Sequence, residues 1–136
     1  MDLLFTATRA ARKAGDILLR YFETSVRREV KADKSFVTAA DTEAEAAIIA
    51  EIKKSFPDHG ILGEESGEEA SKSAFQWVID PLDGTANFIN GIPLFEVSIA
   101  VLKDNAPVIG IVYQPLGNSF YSAEKGKGTF WNGKKV

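Results

Sequence analysis

No cysteine occurs in the 136 residues, so disulfides, zinc–thiolate centres and thiol nucleophiles are excluded. Histidine occurs once, as His59 in the turn-like string Pro57-Asp58-His59-Gly60. That leaves no second imidazole for a histidine metal pair, and His59 reads as a turn residue with no catalytic part. A basic surplus is lacking too: 16 lysines and arginines stand against 19 acidic residues, a net charge of −3. This balance argues against a nucleic-acid partner, because such binders draw their affinity from basic patches facing phosphates. No apolar stretch approaches the roughly 20 residues of a membrane span. Met1 to Phe5 shows no basic region leading into the apolar core of a secretory signal. Repeats, low-complexity tracts and a Walker-type glycine-lysine loop are also absent. The remainder is ordinary for a globular chain, with 45% apolar and 26% charged residues. It suits one cytoplasmic domain spanning residues 1–136.

The apolar pattern divides the chain. Leu4, Ala7, Ala11, Ala14, Leu18 and Tyr21 recur at three- and four-residue steps, which predicts an amphipathic helix from Leu3 to Phe22; Gly15 inside it points to close packing. Arg27 to Lys34 reads as a charged strand and turn. Thr38 followed by Asp41 resembles a capping box that would start a second helix; Ala44, Ile48, Ile52 and Phe56 give its stripe, and Pro57 ends it. Gly60 to Leu62 reads as a short buried strand and Glu68 to Ser73 as a polar loop. Strands are predicted at Trp77–Ile79, Val97–Leu102, Val108–Tyr113, Phe120–Ala123 and Thr129–Trp131, with Asn132-Gly133 as a hairpin turn. Helices first and antiparallel strands afterwards imply an α+β layered fold with two helices packed on an antiparallel sheet.

The residues that carry chemistry are acidic. Asp80-Pro81-Leu82-Asp83-Gly84-Thr85 follows the Trp77–Ile79 strand directly, and Glu64-Glu65 follow the upstream strand after Gly63. Carboxylates fixed at strand ends suit magnesium, which takes a few hard oxygen ligands and keeps several waters. Gly84 leaves room for an anion near the backbone, and Thr85 can open a short helix whose free amides favour phosphate. An EF-hand fails because Leu82 and Gly84 occupy its alternating ligand positions. A nucleophilic-aspartate phosphatase fails because its two aspartates must lie two apart, where this chain has Leu82 or Pro81.

The string Trp77-Val78-Ile79-Asp80-Pro81-Leu82-Asp83-Gly84-Thr85-Ala86-Asn87-Phe88 resembles the signature of the inositol monophosphatase family. Val37-Thr38-Ala39-Ala40-Asp41, Gly63-Glu64-Glu65-Ser66 and Gly126-Lys127-Gly128 fall in that family's order and spacing. The resemblance implies the amino-terminal half of a layered sandwich of the inositol monophosphatase and fructose-1,6-bisphosphatase type. It implies Mg²⁺-dependent hydrolysis of a small phosphate monoester, with inositol monophosphate first and fructose or nucleotide bisphosphates as rivals. A truncated, non-catalytic metal-binding or interaction domain is the alternative of another class. The implied metal ligands are Glu64, Asp80, Asp83 and the Leu82 carbonyl, with Asp80 bridging ions and Mn²⁺ as a substitute. The Gly84 and Thr85 amides would hold phosphate, and Asp41 with the Thr85 hydroxyl would orient the attacking water. Glu65 is a further catalytic candidate, and Lys31 resembles the family's basic residue before the second helix. A homodimer that acts on a small phosphorylated substrate, away from membranes, is implied too. Relatives continue for about as many residues again into a Trp-Asp motif, which this chain does not contain.

Overall fold

The computed structural model describes residues 2–27 and 33–136. Helix α1, Leu3–Arg27, is longer than its apolar stripe predicts. Its inner face is largely alanine: Ala7, Ala10, Ala11 and Ala14 are wholly buried, followed by Ile17, Leu18 and Phe22. Small side chains bring the helix axis close to the sheet beneath. Gly15 takes this furthest, since a Cβ there would overlap the Tyr113 ring and lie 3.3 Å from Pro115 Cγ.

Helix α2, Lys34–Ser55, starts earlier than predicted. Asp33 is its N-cap, its carboxylate accepting the Phe36 amide at 2.8 Å, a stronger cap than a threonine offers. Thr38 lies inside the helix, its hydroxyl donating to the Lys34 carbonyl at 2.8 Å. The Thr38–Asp41 capping box therefore does not form, and Asp41 sits two turns into the helix. Of the stretch read as a charged strand and turn, Arg27 and Lys34 are helical and Asp33 caps; the rest lies outside the described residues.

Eight strands make one sheet in the order β2-β1-β3-β4-β5-β6-β7-β8. They are β1 Gly60–Gly63, β2 Gly67–Glu69, β3 Phe75–Asp83, β4 Glu96–Lys103, β5 Ala106–Gln114, β6 Ser119–Glu124, β7 Gly128–Trp131 and β8 Lys134–Lys135. From β3 to β8 each strand turns back on its predecessor, whereas β1 and β3 pair in parallel. The α+β layering is as expected, and the sheet is mixed, mostly antiparallel. Two differences reshape the region of interest. Gly67–Glu69, which takes in Glu68 and Glu69 from the stretch read as a loop, pairs with β1 and makes a hairpin. The strand read as Trp77–Ile79 continues through Asp83. The Asp104-Asn105 and Asn132-Gly133 turns carry positive φ at both residues, 50° and 66°, then 47° and 82°, the geometry that suits the twist of two-residue hairpins.

The two long helices cover one face of the sheet. Trp77, Ile79, Val97, Ile99, Val101, Ile109 and Ile111 point into that core, each at most 3% exposed. Helix α3, Thr85–Ile89, is tied to it by an aromatic cluster in which Phe22, Phe88 and Phe95 lie 5.0–5.6 Å apart. His59 is structural: its ring stacks between Phe56 and Phe75, and its Nδ1 accepts the Trp77 indole N–H at 3.0 Å.

Candidate active site

Three elements bring carboxylates to one end of the sheet. The β1–β2 hairpin pairs Gly63 with Gly67, so Glu64, Glu65 and Ser66 form its tip. Strand β3 supplies Asp80, Leu82 and Asp83 through a bulge: Asp80 opposes Ser98 and Asp83 opposes Glu96. Strand β3 thus spends one more residue than β4 over that stretch. Pro81, fully buried there, has no amide to leave unpaired, which is why a bulge tolerates it. Helix α2 supplies Asp41, only 8% exposed.

Gly84 follows with φ of 96°, caps α3 from the left-handed region, and has Leu94 O where a Cβ would come within 2.9 Å. Glycine is needed for that backbone shape and for close approach to the loop before β4.

The electrostatics are one-sided. No ion pair among the described residues involves Asp41, Glu45, Glu64, Glu65, Asp80, Asp83 or Glu96. Burial, then Glu64, Glu65, Asp80 and Glu45, raise the pKa of Asp41 to about 7. Burial and the Asp80 charge raise Glu64; burial and Asp83 raise Asp80, against a lowering contact from the Leu82 amide. Glu64 and Asp80 are thus close neighbours whose charges act on one another. Asp41 Oδ1 and Asp80 Oδ1 are buried with no hydrogen-bond partner, a cost of about 1–3 kcal/mol for each such group.

A divalent cation answers this pattern: hard anionic oxygens, unpaired and mutually repelling, are the donors Mg²⁺ selects. Among the described residues no three such side chains converge closely enough to form a ready cage.

The structure gathers Asp41, Glu64, Asp80 and Asp83 into one acidic field. Glu65 and Thr85 are exposed at its rim, and the Thr85 hydroxyl makes no hydrogen bond to the unpartnered Asp41 Oδ1. The Leu82 side chain is buried beneath, and Lys31 lies outside the described residues. Two acidic residues escaped the motif reading. Glu45, 3% exposed, accepts the amides of Glu65 and Ser66. Glu96 stands beside Asp83 across the ladder, its pKa raised by burial and then by Asp83 and Asp80. A four-residue step from Asp41 to Glu45 on one helix face would have signalled the first; no sequence spacing links Glu96 to Asp83.

An open trough of about 490 Å³ lies elsewhere, over the outer face of β4 to β7. It lacks converging polar groups, so the carboxylate field remains the better candidate. Among the described residues, no helix is long and apolar enough to cross a membrane.

Comparison with known proteins places the fold among relatives. The Escherichia coli (strain K12) protein described as Nus factor SuhB is 46% identical over 98% of this chain and 51% of its own length. An Aquifex aeolicus fructose-1,6-bisphosphatase/inositol-1-monophosphatase is 42% identical over 93% of this chain and 49% of its own. The crystal structure of the extragenic suppressor protein suhB from Bartonella henselae superposes with a TM-score of 0.88 at 36% identity, over 98% of this chain and 52% of that one. This chain therefore spans about half the length of these relatives. The Escherichia coli relative's description as a Nus factor is at odds with the expectation of no nucleic-acid partner. The model of the inositol monophosphatase family matches residues 1–136 from end to end, and the chain belongs to that family.

Proposed function

We propose that this chain carries the metal- and phosphate-binding half of a Mg²⁺-dependent phosphatase for small phosphate monoesters, inositol monophosphate first. The observation that carries the reading is the pair of buried, partnerless oxygens of Asp41 and Asp80 beside Glu64. Glu64, Asp80, Asp83 and the Leu82 carbonyl would hold the metal. An ion held there would supply charge to offset that on the phosphoryl oxygens and would make water a better nucleophile.

The remaining roles belong to the chain. Asp41, with a pKa near 7 in the metal-free state, takes a proton from the attacking water. The Thr85 hydroxyl positions that water, and Glu65 at the hairpin tip assists. The Gly84 and Thr85 amides grip the phosphate, so little motion is needed at the moment of transfer. The enzyme is read as a cytoplasmic homodimer whose remaining length completes the substrate pocket.

Thermal melting tests the metal. Mg²⁺ at a hundredfold excess over its Kd should add about 2.7 kcal/mol of stability, and Asp80→Asn should remove that gain. Identical melting in chelator and in millimolar Mg²⁺, with folded protein, would sink the reading. The Aquifex aeolicus relative's description favours fructose 1,6-bisphosphate as a second substrate, and paired assays with inositol 1-phosphate would rank the two. The Nus-factor description of other relatives favours a non-catalytic reading, which gains if metal binds and neither ester is hydrolysed, alone or with a carboxy-terminal complement.

A further inference from the structure

Glu45 follows Asp41 by four residues on α2, so both carboxylates leave the same helix face. It is only 3% exposed, and no lysine or arginine pairs with it among the described residues. Its two oxygens are instead spent on backbone: Oε1 accepts the Glu65 amide at 3.1 Å and Oε2 the Ser66 amide at 2.8 Å. Gly63 completes the fit. A Cβ at that position would stand 2.6 Å from Glu45 Oε1 and 2.8 Å from Ser66 Oγ. The Gly63-Glu64-Glu65-Ser66 string therefore has a physical reading of its own. The glycine makes room for a buried carboxylate, and the next turn donates two amides to it. Glu64 is the residue between, and its side chain meets Asp80.

An uncompensated anion inside an acidic field is costly, and a neutral amide side chain could not give each backbone amide its own acceptor atom, since its second terminal atom is a donor nitrogen. We propose that Glu45 is a positioning residue, a carboxylate clamp that fixes the Glu64–Ser66 turn so that Glu64 is already aimed at Asp80 when a cation arrives. The proposal rests on the reading of Glu64 and Asp80 as metal ligands. Fixing a residue's backbone costs conformational entropy; with the clamp the fold bears that cost, and without it cation binding must.

Two measurements on the 136-residue chain test this, in Glu45→Ala and in the near-isosteric Glu45→Gln should the alanine variant not fold. Without metal, hydrogen exchange should quicken at the Glu65 and Ser66 amides and remain unchanged in β4 and β5. Mn²⁺ affinity, read by electron paramagnetic resonance at a temperature where circular dichroism shows folded protein, should fall about 10–100-fold in Glu45→Ala, as for lost ligand-orienting contacts, and by less in Glu45→Gln. A buttress that only stabilises the fold would leave Mn²⁺ affinity of the folded variant untouched, and that result overturns the proposal. Unchanged exchange at the two amides overturns it equally. Asp80→Asn separates the two readings: it should abolish Mn²⁺ binding and leave exchange at Glu65 and Ser66 as in the parent. If Asp80→Asn and the parent bind Mn²⁺ alike, the phosphatase-site reading fails, and exchange alone then decides whether the clamp exists.

Discussion

Gly15 and Glu51 show how single residues hold α1 to its neighbours. Alanine is ordinarily better than glycine in a helix by about 1 kcal/mol, yet at position 15 the added methyl would overlap the Tyr113 ring. Overpacking of this kind costs about 1–3 kcal/mol, so Gly15→Ala should lower the melting temperature despite its better propensity. A rise would mean that Tyr113 moves aside freely. Glu51 on α2 is 5% exposed and accepts from both Lys13 and Arg9, whose side chains are half exposed. The Lys13 hydrogen bond is the main cause holding its pKa below the ordinary 4.5, with Arg9 adding to it. A depressed carboxyl stabilises the fold above its unfolded pKa and loses that contribution as pH falls through its folded value. Denaturant titrations between about pH 5 and pH 3 should therefore show the parent losing stability more steeply than Glu51→Gln. At neutral pH the variant should be weaker by about 1–3 kcal/mol, toward the lower end because both cations can turn to water. Parallel slopes would show that the pair contributes nothing.

Strands β3 and β4 pose a problem of a different kind. Asp83 and Glu96 are register partners, with Asp80 close by. Like charges directly opposed in a sheet cost up to about 1 kcal/mol. In chelator, Glu96→Gln should raise the melting temperature, and the gain should shrink once Mg²⁺ is present. An equal gain in both conditions would place Glu96 outside the metal's field. This cross-strand meeting also marks what the sequence could and could not disclose. The helices, the meander and the motif carboxylates were legible because each rests on local periodicity or on a contiguous string. The α2 start was misread because Thr38 and Asp41 fit a capping pattern while Asp33, out of the apolar stripe, was the better cap. The β1–β2 hairpin was missed because Gly67–Glu69 is exposed throughout and shows no alternation. Glu45 and Glu96 gain their meaning only from tertiary neighbours on other elements.

The whole molecule is lopsided. Helices cover one face of the sheet, while the other carries Val112, Tyr121 and Trp131 in register across β5, β6 and β7, each 42–45% exposed. On β4 the alternating Val97, Ile99 and Val101 face the other way, beneath the helices. Apolar surface in a contiguous stripe favours association. Sedimentation of the 136-residue chain should show concentration-dependent self-association, and Val112→Lys combined with Tyr121→Lys should suppress it with little change in melting. A strict monomer across the same range would show that the stripe is too small to matter.

The order of elements along the chain has a consequence in time. Helix α1 is made first, but the surface it rests on includes β4 and β5, which emerge only after α2 and the first three strands. At synthesis rates of roughly 5–20 residues per second, the helix waits on the order of 5–20 s for its partner. During that wait its inner face is exposed to solvent and to other nascent chains. A leucine-rich face would be a hazard there; the alanines and glycine that let α1 sit close to the finished sheet also expose little apolar area per residue beforehand. The same small side chains that make the native contact tight keep the unfinished chain from sticking.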